Sequence, residues 1–445
     1  MRVKETTPGR AVRRIYGNVG LLLSGKAVAG LMSLAYLIIV TRALGASGYG
    51  VLVLLHGYVT LIGAIIAFSG WHGIVRYGTI AHQADDHGRM LRLIRFMSIL
   101  ELGCGLVAVL TAAALIPLVG PSLEWPPEAM ALALPYTLAI ISTVRSTPDG
   151  ILQIAGRFDL VSAHQLINPA IRLAGSLLAL AIGGELKTFL VVWLAASIAE
   201  GLGMWLLGLR ELYRMRLAEP LLGPSRGALQ ENEGLLPFIV TTNVDITLSE
   251  LGPKLAPLTV GWILGPAATG LYSLAQRDSV ILQQPATMLG HASFAVIAKL
   301  LAAGEVDRFR RSVWHSCGIA ILIAIPVTLL LGLFAEPIIR LLGGRTFEGG
   351  ATLLILIAGG RALMAGSTSL SSGLIALGRP AKSIAANVVG NLALYPLLPL
   401  LILVAGLNGA GWHALFQSIV IAGMLAWSFH QMVSERRRAM QVLQS

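Results

Sequence analysis

Charge is what this sequence has least of. Only 12% of its 445 residues are Asp, Glu, Lys or Arg, against roughly 25% in soluble domains. Hydrophobic residues make up 55%, and the mean hydropathy is +0.76. A chain of this size cannot hide that much apolar surface in a water-exposed fold, so much of it must face lipid. Cysteine is scarce as well. Cys104 and Cys317 both stand in apolar segments, which argues against a disulfide or a thiolate metal site and predicts two free thiols packed between helices. No phosphate-binding G-x-x-x-x-G-K-[ST] loop occurs, so the chain is not itself an ATPase. His82, Asp85, Asp86 and His87 cluster in one polar loop, but their spacing matches no metal motif, and a solvated turn accounts for them. No loop is long enough to seat a Ser/His/Asp arrangement. The net charge of +11 does not signal nucleic acid here, because basic residues collect in the cytoplasmic loops of membrane proteins.

What is present is a succession of apolar runs. A membrane-crossing helix needs about 20 residues. Candidate spans are 17–40, 48–75, 92–118, 129–154, 160–182, 188–209, 236–261, 267–297, 312–335, 350–377, 384–406 and 409–431, twelve in all. The basic N-terminus followed by an apolar run imitates a signal peptide. The run from Gly17 to Val40 is longer than the ~7–15 residues of a signal core, so it stands as the first span. With both termini in the cytoplasm, nearly all Lys and Arg outside the spans fall on the cytoplasmic side. The opposite side keeps Arg42, Lys187, Arg340 and Arg345, an asymmetry that sets the topology. The longest extramembrane stretch, 210–235, carries Pro220, Gly223, Pro224 and Gly227 with mixed charges and reads as a cytoplasmic linker. The expected organisation is a six-helix lobe over 1–209, the linker over 210–235, a second six-helix lobe over 236–433, and a basic cytoplasmic tail over 434–445.

The two lobes echo each other. LGASGYGVLVL (Leu44 to Leu54) returns as LGPAATGLYSL (Leu264 to Leu274), 220 residues later. HGRMLRLIRF (His87 to Phe96) and DRFRRSVWH (Asp307 to His315) both place Arg at i and i+3. DGILQIAGR (Asp149 to Arg157) and SGLIALGR (Ser372 to Arg379) close the fourth and tenth spans. Asn168 of the fifth span has near counterparts, Asn387 and Asn391, in the eleventh. Six spans per half is an even number, so both halves enter the membrane the same way. They are then related by an axis along the membrane normal, with a site expected between them near the midplane.

Charges inside the spans are the candidate functional residues, since each costs about 2.5–3.5 kcal/mol at bilayer depth unless it meets a partner or a wet cavity. The cations are Lys26, Arg145, Arg172, Lys254, Arg277 and Arg361. The acids are Glu101, Asp149, Glu200, Asp245, Glu250 and Asp278. Two readings stand side by side. Arg145 with Asp149, and Glu250 with Lys254, are four apart and can pair within one helix; Glu101 suits a buried interhelical partner, and Glu200 a helix end from which it snorkels out. Alternatively, cations without a local acid (Lys26, Arg172, Arg361) face an anionic ligand, and an Arg fork suits phosphate. Lys26 lies on a stripe with Ala29, Ser33 and Tyr36, as expected of a helix facing a cavity. Asp245 follows Thr241, Thr242 and Asn243 in a helix that also carries Pro253 and Pro257, a pair suited to gating because each proline favours a kink. Asp149, Asp245, Glu250 and Asp278 are the candidates for binding a coupling ion, H+ or Na+; no other cofactor and no metal site is expected.

TRALGASGYG (Thr41 to Gly50), NVD (Asn243 to Asp245) and LGPAATGLYSLA (Leu264 to Ala275), set in twelve spans, make the chain resemble the bacterial polysaccharide flippases. These are the O-antigen and exopolysaccharide branch of the multidrug/oligosaccharidyl-lipid/polysaccharide exporter superfamily. The resemblance covers nearly the whole chain, through loose motifs. It implies an all-α, MATE-like polytopic protein of two pseudo-symmetric six-helix lobes in the bacterial inner membrane. Its implied task is to move undecaprenyl-pyrophosphate-linked oligosaccharide from the cytoplasmic to the periplasmic leaflet by alternating access. It further implies Lys26, Arg42, Lys254 and Arg277 as groups facing the pyrophosphate; Arg42 serves equally well as a topological flank, and the intramembrane charges add Arg145, Arg172 and Arg361 as cavity candidates. Membrane lipids, the lipid-linked substrate, and the polymerase and chain-length proteins of the pathway are the implied partners. Lipid-II flippases have fourteen helices, and this chain has room for twelve. The alternatives are a drug/cation antiporter of the same fold and, third, a membrane-embedded polymerase or ligase. An antiporter calls for an acidic, aromatic pocket, and aromatics are only 6% of this chain. A polymerase calls for a large periplasmic loop, whereas the longest loop here is cytoplasmic.

Overall fold

A computed structural model describes residues 8–215, 217, 223–280, 300–301 and 305–444. Among them the regular structure is helical throughout. In hydrocarbon every backbone N–H and C=O must be satisfied internally, and a helix does this within one segment. The helices used below are α1 (Pro8–Ile66), α2 (His87–Ser122), α3 (Pro127–Tyr136), α4 (Ser146–Ile154), α5 (Phe158–His164), α6 (Ile167–Ala181), α7 (Leu186–Arg214), α8 (Leu235–Val280), α9 (Val306–Leu333), α10 (Ala335–Gly343), α11 (Ala351–Ala376), α12 (Pro380–Val388), α13 (Leu397–Ala405) and α14 (Leu407–Gln444). Leucines and valines stand bare on their outer faces: Leu333 is 75% exposed and Val404 86%. Side chains this apolar are stable at such exposure only against lipid.

Twelve spans were expected. Among the described residues, eight helices are long and apolar enough to cross a membrane, or nine if the bent pair Ala381–Ala393 and Leu397–Ala405 is one span. The difference has identifiable causes. Two of the eight, Ser24–Ile66 and Leu235–Arg277, are 43 residues each. At 1.5 Å per residue that is about 65 Å, twice the hydrocarbon thickness. Each is interrupted by one glycine in a conformation open almost only to glycine: Gly45 (φ 64°, ψ −176°) and Gly265 (φ 80°, ψ 179°). Each 43-residue run therefore holds two expected spans, the first with the second and the seventh with the start of the eighth. The rest of the eighth, 281–297, lies outside the described residues. The fifth is split into α5 and α6. The interruption is at Gln165–Leu166, one turn before Pro169, which has no N–H to give to the Gln165 carbonyl, and the 15-residue α6 that follows is too short to count as a span.

The chain divides into two compact units. One holds Met1–Leu44 and Leu55–Thr247; the other holds Gly45–Leu54 and Leu248–Ser445. The division falls inside α8 rather than in the linker. In the first unit the linker is held to the start of α2: Arg92 pairs with Glu231 at 2.6 Å, and Arg89 Nε donates to Asn232 Oδ1 at 3.0 Å. Asn232 is fully buried. Asp86 caps α2, its Oδ1 accepting from the Arg89 N–H at 2.9 Å. In the loop after α4, Arg157 binds both Asp159 and Glu211, and its guanidinium holds the Asp159 carboxyl below the usual carboxylate range.

The duplication has structural counterparts. Gly156 after α4 and Gly378 after α11 both have positive φ, 68° and 72°. Each is followed by an Arg whose N–H reaches back five residues: Arg157 to Leu152 O at 2.8 Å and Arg379 to Leu374 O at 3.0 Å. This is the same glycine cap twice. The leucine-glycine phrases meet inside the second unit. A Cβ on Gly50 would overlap the carbonyl oxygen of Pro266, and one on Gly270 would overlap that of Ala46. The offset is 220 in both directions, so the contact is reciprocal. Both cysteines are free thiols; Cys317 packs in the second unit's core with Phe309, Leu370 and Phe429.

Candidate functional site

In the first unit the charges are used internally. Arg172 on α6 is 4% exposed. Its guanidinium carbon stands 3.9 Å from the Trp193 ring centroid and 5.7 Å from that of Tyr36. Nη1 donates to the Tyr36 hydroxyl and Nη2 lies 3.2 Å from His56 Nε2. A guanidinium only donates, so His56 Nε2 accepts. The His56 proton then sits on Nδ1, which is 3.1 Å from the Tyr136 hydroxyl. The cation that had no acid on its own helix is thus held by aromatic faces, an interaction worth about 2 kcal/mol when desolvated. Arg172→Lys keeps the charge and loses the planar stack. It is expected to lower the melting temperature of the purified protein by several degrees; an unchanged melt would show that the cage contributes nothing.

Arg145 does not pair with Asp149 as its spacing suggested. It sits just before α4 with φ −147°, which turns the side chain out of helical register and across to α7. There it meets Glu200 at 2.5 Å. Glu200 in turn accepts from Asn168 Nδ2 at 2.7 Å, so it is a shared partner of two elements and does not snorkel out. Glu101 of α2 is 1% exposed and accepts the backbone N–H groups of Ser146 and Thr147 at 2.5 and 2.8 Å. These are orphan donors of the first turn of α4, and Glu101 is the buried interhelical partner expected of it. Asp149 is left with a neutral donor, Gln153 Nε2 at 3.0 Å. Asp245 is half-buried, within electrostatic reach of His72. Two residues before it, Asn243 Oδ1 accepts from the Ser69 N–H at 2.8 Å.

In the second unit Lys254 and Glu250 pair at 2.7 Å along their own helix, as their spacing allowed. Beside them opens a cavity of about 230 Å³. Gly252 admits it to the α8 wall, where a Cβ would come within 2.9 Å of Asn391 O. Pro253 and Tyr272 line it from α8, Arg361 from α11, and His413 and Gln417 from α14. Asn387, Asn391 and Tyr395 line it from the bent pair, where Val389–Ala393 winds as a π-helix and the chain bends by 46° before α13. Such a break frees backbone carbonyls that lipid cannot satisfy. Here His413 Nε2 donates to Leu394 O at 3.0 Å, and Gln417 Nε2 to Gly390 O at 3.1 Å and to Asn391 Oδ1 at 2.9 Å. The Tyr395 hydroxyl meets Thr259. Among the described residues lining the cavity, Arg361 is charged and none is acidic.

Of the other anticipated cations, Lys26 and Arg42 are exposed and Arg277 is half-buried. Asp278 lies outside the residues whose side chains are described. Arg361 and Pro253 are the anticipated site residues that the cavity brings together. Gln276, His413 and Gln417 were missed. The available signal was a polar ladder: Asn387, Asn391 and Tyr395 at i, i+4 and i+8, facing His413 and Gln417 at i and i+4. Among the described residues no group of three His, Cys, Asp or Glu could hold a metal ion.

These features define a multi-pass membrane protein with the fold of multidrug and lipid exporters. An inward-facing multidrug MATE transporter of the MOP superfamily superposes with a TM-score of 0.72 at 17% identity, covering 92% of this chain and 96% of that one. Lipid II flippase MurJ in an inward closed conformation gives 0.72 at 13% identity, covering 95% and 92%. At these identities the likeness establishes the fold. The family model described as "Polysaccharide biosynthesis protein" matches residues 39–351, more than two thirds of the chain, and the chain belongs to that family. A curated relative, Inner membrane protein YghQ of Escherichia coli (strain K12), is 28% identical over 298 residues, covering 67% of this chain and 84% of the relative.

Proposed function

We propose that the protein is an inner-membrane flippase. It moves undecaprenyl-pyrophosphate-linked oligosaccharide from the cytoplasmic to the periplasmic leaflet for surface polysaccharide synthesis, with both termini cytoplasmic. The observation that carries this is the second-unit cavity, walled by amides and hydroxyls with Arg361 as its charged residue and no acid among its described lining residues. A cationic drug requires the opposite polarity. The aromatic cluster of the first unit, which could have received one, already encloses Arg172. Lys26, Arg42 and Arg277 are assigned to the pyrophosphate; Lys254 pairs with Glu250 and Arg145 with Glu200. Depletion is expected to make lipid-linked oligosaccharide accumulate in the cytoplasmic leaflet. Normal distribution of that lipid together with hypersusceptibility to lipophilic cations would favour a drug antiporter instead.

Asp149 is assigned as the ion-coupling carboxylate. Glu101 is committed to backbone N–H groups, Glu200 to Arg145 and Glu250 to Lys254, whereas Asp149 contacts a neutral amide. Asp149→Asn keeps the hydrogen-bonding shape and removes the charge. In proteoliposomes it is expected to retain exchange of lipid-linked oligosaccharide between leaflets and to lose acceleration by an imposed H+ or Na+ gradient. A gradient response equal to wild type would eliminate Asp149.

A further inference from the structure

We infer that the start of α9 is a binding site for the phosphate of an anionic phospholipid, with Arg310, Arg311 and His315 as its donors and Trp314 as its interfacial anchor. The site lies within the second unit and shares no lining residue with the cavity beside Arg361. It requires nothing of the flippase reading, because any multi-pass protein with this face meets the same leaflet.

The duplicated basic turn carries the argument. In the first unit its arginines are covered by the linker: Arg92 meets Glu231 at 2.6 Å, and Arg89 meets Asn232 at 3.0 Å. In the second unit their counterparts are Arg311 and Arg308. Arg308 turns back to Glu305 at 2.8 Å, and the other acid of the turn, Asp307, is met by Arg437 of α14 at 3.4 Å. Both nearby acids are thus already paired. Among the described residues no acid reaches Arg310 or Arg311, and both are exposed. The anion that the linker supplies in one half is absent from the described residues of the other.

Geometry and depth identify the missing partner. Arg310, Arg311, Ser312, Trp314 and His315 line an open groove of about 680 Å³. Arg311 and His315 are one turn apart, as are Arg310 and Trp314, so the donors and the indole stand on adjoining faces of the helix. An Arg fork takes two phosphate oxygens at once. Trp314 packs T-shaped against Phe429 of α14, with ring centroids 6.2 Å apart, and remains 39% exposed. An indole with one side packed and one side open belongs at the membrane–water interface. About 12 Å further along α9, Leu322 is 69% exposed, which places it against hydrocarbon. The groove therefore opens at headgroup level, where the bilayer itself supplies phosphate. An acidic protein segment would account for the arginines but not for the exposed indole.

The test is binding of phosphatidylglycerol to delipidated full-length protein in detergent, compared with phosphatidylcholine of the same acyl chains, read by native mass spectrometry and thermal melting. An arginine near an anionic surface is worth roughly a factor of five in affinity. The two together are expected to give phosphatidylglycerol a preference of roughly twentyfold and to raise the melting temperature by a few degrees. Arg310→Gln/Arg311→Gln is expected to remove most of that preference. Arg308→Gln/Arg437→Gln removes the same charge from arginines that are already paired, and it is expected to keep the preference. On unmutated protein, phosphatidylglycerol is expected to slow phenylglyoxal modification of Arg310 and Arg311 several-fold while the exposed Arg210 reacts as before. That measurement keeps the test decisive if a variant fails to fold. Equal binding of the two lipids, equal losses in the two double variants, or unprotected Arg310 and Arg311 would overturn the inference. So would inorganic phosphate protecting these arginines as well as the lipid does, which would make the site one for a free anion. Protection by heptaglutamate and not by phosphatidylglycerol would assign the groove to an acidic protein segment instead.

Discussion

Gly270→Leu is expected to abolish accumulation of folded protein in the membrane, and Gly50→Leu to do the same. At each position even a Cβ would overlap a backbone carbonyl oxygen, Ala46 O for Gly270 and Pro266 O for Gly50. A carbonyl in a helix cannot turn aside as a flexible side chain does, so the two segments must separate. Overpacking a core costs about 1–3 kcal/mol, and a backbone clash that moves two helices lies at or above the top of that range. Alanine at these sites is expected to lower the melting temperature of detergent-purified protein clearly. Gly103→Ala, where a Cβ meets nothing within 4 Å, is expected to be neutral or stabilising by up to about 1 kcal/mol through helix propensity. Alanine at Gly45 or Gly265 should destabilise by about 1–3 kcal/mol for a different reason, since their φ of 64° and 80° with extended ψ is strained for any side chain. Should Gly50→Ala and Gly270→Ala melt with wild type, the reciprocal packing of the two phrases would not matter to stability.

Glu200→Leu is expected to be the most damaging single change in the first unit's charge network. It leaves Arg145 without its 2.5 Å partner, and Asn168 without its acceptor. An unpartnered charge at bilayer depth costs about 2.5–3.5 kcal/mol, and the orphaned amide adds about 1 kcal/mol more. The double variant Arg145→Met/Glu200→Leu removes the charge together with its partner, and it should recover much of the loss, because a well-packed apolar pair often matches a buried ion pair. Melting temperatures of the two single variants and the double variant form the cycle. Additive losses would mean that the pair is not coupled.

Much of the architecture was legible in the chain. The membrane environment followed from scarce charge and long apolar runs. The leucine-glycine phrases repeated at an offset of 220 read as a sign of duplication, the structure breaks its helices at their glycines, Gly45 and Gly265, and the AGR and LGR endings mark one cap used twice. Glu250 with Lys254 could be paired from spacing alone, because both lie on uninterrupted helix where i and i+4 share a face. Arg145 with Asp149 has the same spacing and failed, because Arg145 is outside the helix. The count of twelve was obscured where helices are broken without a loop, at Gly45, Gly265 and Gln165–Leu166, since hydropathy records apolar length and not direction.

The sequence by itself determined the solvent, the helical class, the internal repeat and the identity of the charged residues. Those properties depend on composition and on periodicity within one segment. Tertiary structure alone decided what each charge meets. Arg172 finds Tyr36, His56 and Trp193; Glu200 reaches Arg145; Glu101 holds the start of α4; and Arg361 shares a cavity with the amides of the bent helix. Such pairings join residues tens to more than a hundred positions apart, and in a low-dielectric interior the partner sets what each charge costs.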